Sequence, residues 1–368
     1  MLGTLATGLI LRKRVHTGSD NAAGPVSSIP VSIKDIARSA NVSHSTVSRA
    51  LNNSPRVKSE TVEKIRQIAE ESGYRGSAIA RSLATRRTRT IGVVVTTIAD
   101  LFAAGVVSGI ETVAGDHGYS VFLANSNADP EREMRVVRTF EERRVDGIIV
   151  TASRVGALHL PLLSRMNVPI VLLNNQHPSQ FAHSVMIENL SASYEATRYL
   201  VELGHRRIAY IGDRNGRTSD TERFGGYRQA LDSGHLAFQP ELVLYGSGTP
   251  ESGMEAMAAF LRLPDRPTAV FCYDDMTALG AMRQIRDAGL RVPRDVSVIG
   301  FDDLSIVRFT EPPLTTVRQP MSEMGRLAME AMLDLLGGSG ATHEIKIRGE
   351  LIVRASTGPP NAAANAAG

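Results

Sequence analysis

Residues 32–52 contain two short amphipathic segments separated by a turn, and no other stretch limits the possible folds of this chain as much. The apolar residues of the first segment recur at the i, i+3, i+4 and i+7 spacing of one helix face: Ile33, Ile36, Ala37 and Ala40. Ser32 and Asp35 have the spacing of a capping box at the start of that helix. Asn41 lies in the turn, where a residue that tolerates left-handed backbone is favoured. The pattern predicts a helix that ends in a sharp turn.

The second segment predicts a helix with one buried and one exposed face. Ser43 can cap it, and its inward stripe consists of Val47, Ala50 and Leu51. The outward face then carries His44, Ser45, Ser48 and Arg49. Because a helix this short does not stabilise itself, small donors beside a cation on its outer face indicate insertion into the major groove of DNA. The alternative is a helical hairpin in an unrelated core.

Positive charge is concentrated around these two segments. Residues 31–90 hold twelve Lys and Arg against five Asp and Glu, a net charge of +7. Because the whole chain carries +3 and residues 1–30 carry +2, residues 91–368 carry −6. A basic module on an acidic body attracts a polyanion at one end only. A solvated face can show the same bias, so the charge supports the DNA interpretation without establishing it.

The chain ends and the cysteine content bear on the compartment. Residues 1–30 begin with an apolar stretch, too short to span a bilayer, and a basic triplet follows it, which reverses the order of a secretory signal. We expect a disordered tail there, or a start codon assigned too early, and a second disordered tail over 359–368. The only cysteine, Cys272, excludes an intramolecular disulfide and suits a reducing compartment, so we expect a cytoplasmic protein. Its apolar neighbours predict a buried packing thiol.

A third helix is predicted over residues 59–72, and Gly73 can end it. Its apolar face consists of Val62, Ile65 and Ala69. Three helices make a small core, so we predict a helix-turn-helix DNA-binding domain over 31–76. The next stretch has good helix propensity but is too short to fold alone, and we predict a hinge helix and linker over 77–90.

From Ile91 onward, continuous apolar runs alternate with helical segments. Buried parallel strands are predicted over 91–95, 121–124, 147–150, 170–173, 208–211, 242–245, 269–272 and 296–300. Helices are predicted over 106–115, 131–143, 192–203, 224–232, 253–261, 276–288 and 321–336. This alternation indicates a doubly wound α/β architecture, and its length favours two similar subdomains with a cleft between them over 91–358. Ligands bind such sheets at the carboxyl ends of the strands.

The motifs of the chain, in order, resemble those of one known family. The first domain contains Ile-Lys-Asp-Ile-Ala (33–37), Thr-Val-Ser-Arg-Ala-Leu-Asn-Asn (46–53) and Ala-Ile-Ala-Arg-Ser-Leu (78–83). The body contains Arg-Arg-Val-Asp-Gly-Ile-Ile (143–149), Leu-Gly-His-Arg-Arg-Ile-Ala (203–209), Ala-Leu-Gly-Ala-Met (278–282), Val-Ile-Gly-Phe-Asp-Asp (298–303) and Pro-Pro-Leu-Thr-Thr-Val-Arg-Gln (312–319). Over residues 31–358 the chain resembles the lactose/galactose-repressor family of bacterial transcription regulators.

The resemblance implies a homodimer whose second helices read the two half-sites of a near-palindromic operator in double-stranded DNA. By position it implies base-reading roles for His44, Ser45 and Arg49, and Arg49 can pair bidentately with guanine. It implies mainly phosphate contacts for Ser43, Thr46 and Ser48, and Asn52 belongs to the same DNA-contacting set. A phosphate contact is the alternative role for Arg49.

The hinge segment contains one further residue with an implied role. Leu83 falls where the family places an apolar wedge, which enters the minor groove at the operator centre beside its dimer mate. Such a wedge unstacks a flexible base step and kinks the duplex. The alternative is a leucine that packs within the linker.

The body resembles periplasmic sugar-binding proteins, which implies a small polar effector, a sugar or related metabolite, in its cleft. Carried over residue by residue, the effector site contains Arg223, Asp274, Asp302 and Gln319, with weaker candidates at Phe102, Asn127, Asn174 and Ser219. Paired acceptors and a guanidinium fork satisfy several hydroxyls of a polyol at once. The alternative for Asp302, as for Asp303, is to cap the segment that follows their strand.

Four positions depart from the family pattern and put the identity of the effector in doubt. Gly248 stands where the family often has an aromatic residue that stacks on a sugar. Asp100 and Leu101 replace the usual Asn-Pro after the first body strand, and Glu188 replaces a frequent aspartate.

Together these features predict a transcriptional repressor controlled by an effector. Closure of the cleft would change the separation of the two 77–84 segments in the dimer and thereby the affinity for the operator. A transport protein predicts a signal peptide and no basic head. An enzyme predicts a Gly-x-Ser-x-Gly motif, a phosphate-binding glycine loop or metal-ligand spacing, and the sequence has none of these. We therefore expect no catalytic activity, no cofactor, no metal and no membrane partner.

Overall fold

The computed structural model describes residues 31–52, 54–74, 87–151, 166, 168–174, 183–214, 218–338 and 344–361. The chain divides into two compact units, Met1–Arg81 and Ser82–Gly368, which are called the head and the body below. The tail predicted over 1–30, the predicted hinge helix and its Leu83 lie outside the described residues. Of the tail predicted over 359–368, residues 359–361 are described and 362–368 are not.

The head is a cluster of three helices: α1 (Ile33–Ala40), α2 (His44–Leu51) and α3 (Ser59–Glu71). One apolar core lies between them and contains Ile36, Ala37, Ala40, Val47, Ala50, Ile65 and Ala69. Because all seven side chains come from the predicted inward stripes, the helical periodicity of the sequence located this core correctly.

Local hydrogen bonds begin and end the head helices where the sequence predicts. The Ser32 backbone N–H donates to Asp35 Oδ2 at 3.0 Å, which is one half of the capping box. Asn41 ends α1 with φ 55° and ψ 47°, the left-handed conformation that sharpens the turn. The Thr46 backbone N–H donates to Ser43 Oγ at 3.1 Å and caps α2. These bonds set the angle at which α2 leaves the turn.

The first half of the body is a parallel sheet of six strands in the order β11-β5-β4-β3-β1-β2. Its strands are β1 (Thr90–Val95), β2 (Ser120–Asn125), β3 (Gly147–Thr151), β4 (Ile170–Leu173), β5 (Ser184–Ile187) and β11 (Glu344–Ile347). The described helices of this half are α4 (Leu101–Asp116), α5 (Pro130–Glu142) and α10 (Met321–Leu336). Buried valine, isoleucine and leucine side chains fill both faces of the sheet, as expected for parallel strands.

The second half repeats this plan with the strand order β12-β10-β9-β8-β6-β7. Its strands are β6 (Ile208–Asp213), β7 (Val243–Gly246), β8 (Ala269–Cys272), β9 (Ser297–Asp302), β10 (Thr315–Arg318) and β12 (Glu350–Ile352). Only β12 pairs antiparallel with its neighbour in this sheet. Its helices are α6 (Asn189–Glu202), α7 (Thr218–Ser233), α8 (Pro250–Leu261) and α9 (Asp275–Asp287). The predicted architecture of two doubly wound subdomains is confirmed.

Short crossover segments carry the chain between the two sheets. Glu188 joins β5 to α6, residues 319–320 join β10 to α10, and residues 348–349 join β11 to β12. Strand order reverses at β1 in the first sheet and at β6 in the second, so the carboxyl ends of these strands open the crevice where ligands bind in such folds.

The sequence missed four strands of the body: β5, β10, β11 and β12. Each has only three or four residues, and β10, β11 and β12 contain charged residues. Such segments offer no continuous apolar run to recognise. Their pairing within the sheets is what makes them strands.

Two predicted strands are less buried than expected. We predicted buried strands over 121–124 and 242–245, but β2 and β7 are the outermost strands of their sheets. Phe122 and Tyr245 are each 48% exposed. An edge strand has a neighbour on one side only, and the apolar composition of these two strands gave no sign of that position.

Most helices of the body begin one to three residues earlier than predicted, and two begin five or six residues earlier. The predictions start at residues 106 and 224, whereas α4 begins at Leu101 and α7 begins at Thr218. At α4 the side chain of Asp100 accepts the Phe102 backbone N–H at 2.9 Å and so caps the N-terminus of the helix. The early starts bring the first turns of both helices to the crevice.

Helices α4 and α10 approach each other closely through glycine. A Cβ added at Gly109 would lie 2.0 Å from the Ser322 carbonyl oxygen, and one at Gly325 would lie 2.0 Å from the Val106 carbonyl oxygen. Any larger side chain at either position would force the two backbones apart. The two glycines therefore let α4 and α10 pack backbone against backbone.

Candidate functional site

The outer face of α2 carries the polar residues that the sequence predicted there. His44 and Arg49 are exposed, and Ser45 and Ser48 are partly exposed. On the opposite face Val47 is fully buried in the head core. The helix therefore presents a polar surface that faces away from the core of its own domain.

Hydroxyl groups cluster at the N-terminus of α2. Ser43 Oγ lies 2.8 Å from both Ser45 Oγ and Thr46 Oγ1, in addition to accepting the Thr46 backbone N–H. At the other end Asn52 Nδ2 donates to the Ser48 carbonyl oxygen at 2.8 Å. Because helix N-termini attract anions, this end of α2 suits contact with phosphate.

The second site is a cavity of about 520 Å³ in the crevice of the body. Seven of the eight predicted effector residues line it: Phe102, Asn174, Ser219, Arg223, Asp274, Asp302 and Gln319. They come from both sheets, and most lie just beyond the carboxyl end of a strand or in the first turns of α4 and α7. A volume of this size accommodates a small metabolite.

Asn127 does not lie with the other seven. It occupies the loop after β2, is exposed, and has a left-handed φ of 53°. It is absent from the described lining of the cavity. A role for Asn127 in effector binding stays a prediction that this geometry does not support.

Arg223 is buried against the wall of the cavity that belongs to the second sheet. Its guanidinium carbon lies 3.5 Å from the ring centre of Phe301 and 4.5 Å from that of Tyr273. Its Nε donates to Asn189 Oδ1 at 2.9 Å and its Nη1 donates to the Tyr273 carbonyl oxygen at 2.5 Å. Rings and acceptors together hold the guanidinium in one orientation.

Asp302 lies at the end of β9 on the same wall. Gln319 Nε2 donates to its Oδ1 at 2.5 Å, so a crossover segment contacts this carboxylate directly. The backbone φ of 119° is rare for a residue other than glycine and costs about 1–3 kcal/mol, a cost that is typical of functional sites. Burial, followed by the nearby Asp274 carboxylate, raises the pKa of Asp302 to about 7, although Arg223 opposes this.

Asp302 and the adjacent Asp303 have different roles. Asp303 is buried and forms ion pairs with Arg318 at 2.8 Å, with Arg308 at 3.6 Å and with Arg354. It therefore ties β9 to β10 and to the C-terminal segment. The alternative that these two aspartates cap the segment after their strand is not supported, because Ser305–Phe309 has no side-chain cap and both carboxylates are bonded to side chains instead.

Two more carboxylates face the cavity from helix N-termini. Asp100 caps α4 in the first half, and Asp274 caps α9 in the second half by accepting the Thr277 backbone N–H at 2.7 Å. Each uses one oxygen for its cap. Gly248 lies beside Asp274, since an added Cβ would be 2.9 Å from Asp274 Oδ2.

Sequence reasoning missed several residues of this site, and three of them bear on its charge and geometry. Asp100 was noted only as a departure from the family pattern, while Tyr273 and Asn189 were not singled out. Tyr273 follows a predicted strand directly, and that position was the available signal. Asn189 is the first residue of α6 and bonds both Arg223 and Glu222, a role that no local pattern announces.

The buried thiol and the histidine of the Leu-Gly-His turn have structural surroundings. Cys272 is fully buried, as predicted, and its burial raises the pKa of the thiol. His205 is buried and bonds Thr268 Oγ1 and the Gly358 carbonyl oxygen, each at 2.9 Å. Burial lowers the pKa of His205 to about 4. His205 therefore stays neutral near pH 7 and anchors the C-terminal segment.

Within the described ranges, no group of three or more His, Cys, Asp or Glu side chains has the arrangement of a metal site. In the same ranges, no helix combines the length and the apolar character needed to cross a membrane.

Two family models match the chain. Residues 32–77 match "Bacterial regulatory proteins, lacI family", and residues 197–357 match "Periplasmic binding protein-like domain". The first match covers the head helices, and the second covers most of the body after its first crossover.

Curated relatives match along most of their length. The "HTH-type transcriptional repressor CytR" of Escherichia coli (strain K12) is 37% identical over 327 residues, which is 88% of this chain and 96% of that protein. The "HTH-type transcriptional repressor PurR" of Vibrio atlanticus (strain LGP32) is 35% identical over 303 residues, 82% of this chain and 91% of that protein.

Solved structures match both units as well. The lac repressor dimer bound to operator and the anti-inducer ONPF has a TM-score of 0.83 and 28% identity, covering 90% of this chain and all of that one. The complex of the transcriptional regulator CelR with cellobiose has a TM-score of 0.66 and 31% identity, covering 89% and 99%. Motifs, fold and relatives agree: this chain belongs to the lacI family of bacterial regulatory proteins.

Proposed function

We propose that this protein is a transcriptional repressor that binds DNA through α2 and is controlled by a small molecule bound in the crevice of the body. The observation that carries the proposal is the outer face of α2, where exposed His44 and Arg49 stand beside a serine-rich helix start. Its support is membership in a family whose similar members are named as repressors. Catalysis has no part in it.

On the DNA, His44, Ser45 and Arg49 read base edges, and Arg49 pairs with a guanine. The hydroxyls of Ser43, Thr46 and Ser48 contact phosphates, with Asn52 at the end of the helix in the same set. Leu83 enters the minor groove between the two half-sites. The positive charge of residues 31–90 adds affinity that does not depend on sequence.

The repressor acts as a homodimer on a near-palindromic operator in the cytoplasm. A dimer is supported by the structural match to the lac repressor dimer on its operator. A sugar or related metabolite as effector is supported by the match to the CelR complex with cellobiose. The division into a head over 31–76, a hinge over 77–90 and an effector-binding body over 91–358 belongs to the same proposal.

Control passes through the crossover segments. Arg223 bonds Asn189, just beyond the first crossover, and Asp302 accepts a bond from Gln319, within the second. A ligand that engages Arg223 and Asp302 therefore acts on the segments that join the two halves. Different affinities of the ligand for two arrangements of the halves then change operator affinity.

The DNA part of the proposal is tested with an operator selected from random duplexes. Arg49→Ala is expected to weaken binding to the selected duplex about 10–100-fold and binding to random duplex much less, because a bidentate guanine contact discriminates by about 1–3 kcal/mol. Lys64→Ala is the matched control, since it removes one exposed positive charge from α3 instead. Equal losses on both duplexes for Arg49→Ala would reduce Arg49 to a phosphate contact.

A further inference from the structure

The described lining of the crevice cavity is acidic. It contains three carboxylates, Asp100, Asp274 and Asp302, and a single cation, Arg223. Asp100 belongs to the first half of the body, and the other two belong to the second. A ligand held between the halves therefore meets negative charge on both sides.

The one cation is already engaged by the protein. Arg223 Nε and Nη1 donate to Asn189 and to the Tyr273 carbonyl oxygen, and the Phe301 and Tyr273 rings lie against the guanidinium. Its positive charge also acts on Asp302. Little of this cation is left to balance an anionic ligand, since a phosphate or carboxylate is bound best by a guanidinium fork that is not occupied.

The acidic residues, in contrast, offer acceptors. Asp274 Oδ1 and Asp302 Oδ1 have donors, whereas the described residues provide none for the second oxygen of either carboxylate. Gln319 is only 4% exposed and gives Asp302 its one side-chain donor among the described residues, so the second Asp302 oxygen stays without one. A buried acceptor without a donor is costly, so a ligand that brings donors here gains more than one that brings acceptors.

We propose that the effector is a neutral or cationic compound rich in hydrogen-bond donors, and that Asp274 and Asp302 select against phosphorylated and carboxylated compounds. This inference rests on the proposed effector control and specifies its ligand class. The donors of the compound face the Asp302–Gln319 pair and Asp274, and the rest of the compound lies against Phe102 and Leu304.

The electrostatics of Asp302 agree with this assignment. The groups that act on it include Asp274 and Asp100, which raise its pKa, and Arg223 and Gln319, which lower it. The buried Asp275 also interacts with Asp302, whose charge raises the pKa of Asp275. Burial, Asp274 and Asp100 outweigh Arg223 and Gln319 and bring the pKa of Asp302 to about 7. A bound donor or cation relieves this excess of negative charge, and a bound anion increases it.

The test separates the small molecules of a bacterial cell extract by charge. A deproteinised extract is passed over an anion exchanger at pH 7.5, and the flow-through and the desalted eluate are each added to the full-length protein. The readouts are the Kd for the selected operator and the melting temperature of the body. The flow-through, which holds neutral and cationic compounds, is expected to change both.

The following outcomes would contradict the inference. Activity in the eluate alone overturns this inference and leaves the proposed effector control standing. Activity in neither fraction, with operator binding intact, contradicts both. The matched pair ribose and ribose 5-phosphate repeats the comparison with pure compounds, and tighter binding of the phosphorylated member would overturn the inference.

A second experiment substitutes one of the acidic residues of the cavity, Asp274. Asp274→Asn keeps a good cap for α9 while removing one charge, so the fold is preserved. It is expected to raise the amount of flow-through needed for half of the response at least about tenfold. Asp232→Asn, an exposed position late in α7, is the control and is expected to respond like the parent protein. An unchanged response of Asp274→Asn would show that the wall does not recognise the effector.

Discussion

The two candidate sites of this protein are built in opposite ways. The face of α2 uses one continuous segment of eight residues, and its functional side chains point away from a core of seven small or medium apolar residues. The crevice uses residues spread from Thr96 to Gln319, and many of them are buried. The first site is a surface carried by a helix, and the second is a cavity created by two sheets.

This difference indicates how each site should respond to single substitutions. The side chains of the head that we propose to contact DNA need nothing from the rest of the chain except a helix held at the right angle. The crevice residues hold one another through bonds such as Arg223 to Asn189 and Gln319 to Asp302. Single substitutions should therefore act locally in the head and spread through a network in the body.

The largest expected effect comes from the head core. Ile65 is fully buried between the three helices, and Ile65→Ala should cost about 2–5 kcal/mol, enough to unfold so small a core. Operator binding should be lost while the calorimetric transition of the body stays in place. A lower melting temperature of the body in this variant would show that the stability of the body depends on a folded head.

The crevice should show an unusual dependence of stability on pH. The pKa of Asp302 is raised to about 7 from 3.8, so the folded body binds this proton more tightly than the unfolded chain. The contribution of this proton to the free energy of unfolding is fully present below pH 3.8 and is lost as pH rises to about 7. It amounts to at most about 4 kcal/mol. Chemical denaturation of the parent and Asp302→Asn between pH 4 and 8 measures it. A constant difference between the two proteins would contradict this account.

His205 should change the stability of the body with pH in the opposite direction to Asp302. Its pKa is lowered to about 4 from 6.5, so the folded body resists protonation that the unfolded chain accepts. The stability from this histidine is present above pH 6.5 and is lost as pH falls to about 4, by about 3 kcal/mol. The same titration with His205→Gln isolates this trend. Effector response at pH 7.5 should persist in this variant, since His205 lies outside the described lining of the crevice.

The smallest effect is expected at the cap of α2. Ser43→Ala removes the oxygen that accepts the Thr46 N–H and should cost about 1 kcal/mol of head stability. Ser43→Asp keeps the cap but places a negative charge where phosphate is expected, so it should weaken DNA binding with little loss of stability. Calorimetry and operator binding separate the two effects. Equal DNA affinities for both variants would remove Ser43 from the phosphate contacts.

The sequence by itself determined the head almost completely. Caps, turn and apolar stripes lie within a few residues of one another, so local rules placed α1, α2 and their outer faces correctly. It also determined the doubly wound class of the body, because buried parallel strands leave long apolar runs. Motif resemblance placed seven of eight effector residues at one cavity, although roles for them stay proposals.

Only the tertiary structure decided which strands are edges, where the short strands pair and how the cavity is charged. A strand such as Thr315–Arg318 exists because β9 and β12 flank it, and nothing in its own residues requires that. Likewise, Asp100 and Asp274 are 174 positions apart and line one acidic cavity only because the two sheets face each other. Periodicity reports the burial of a segment, whereas distances between segments follow from how the sheets are assembled.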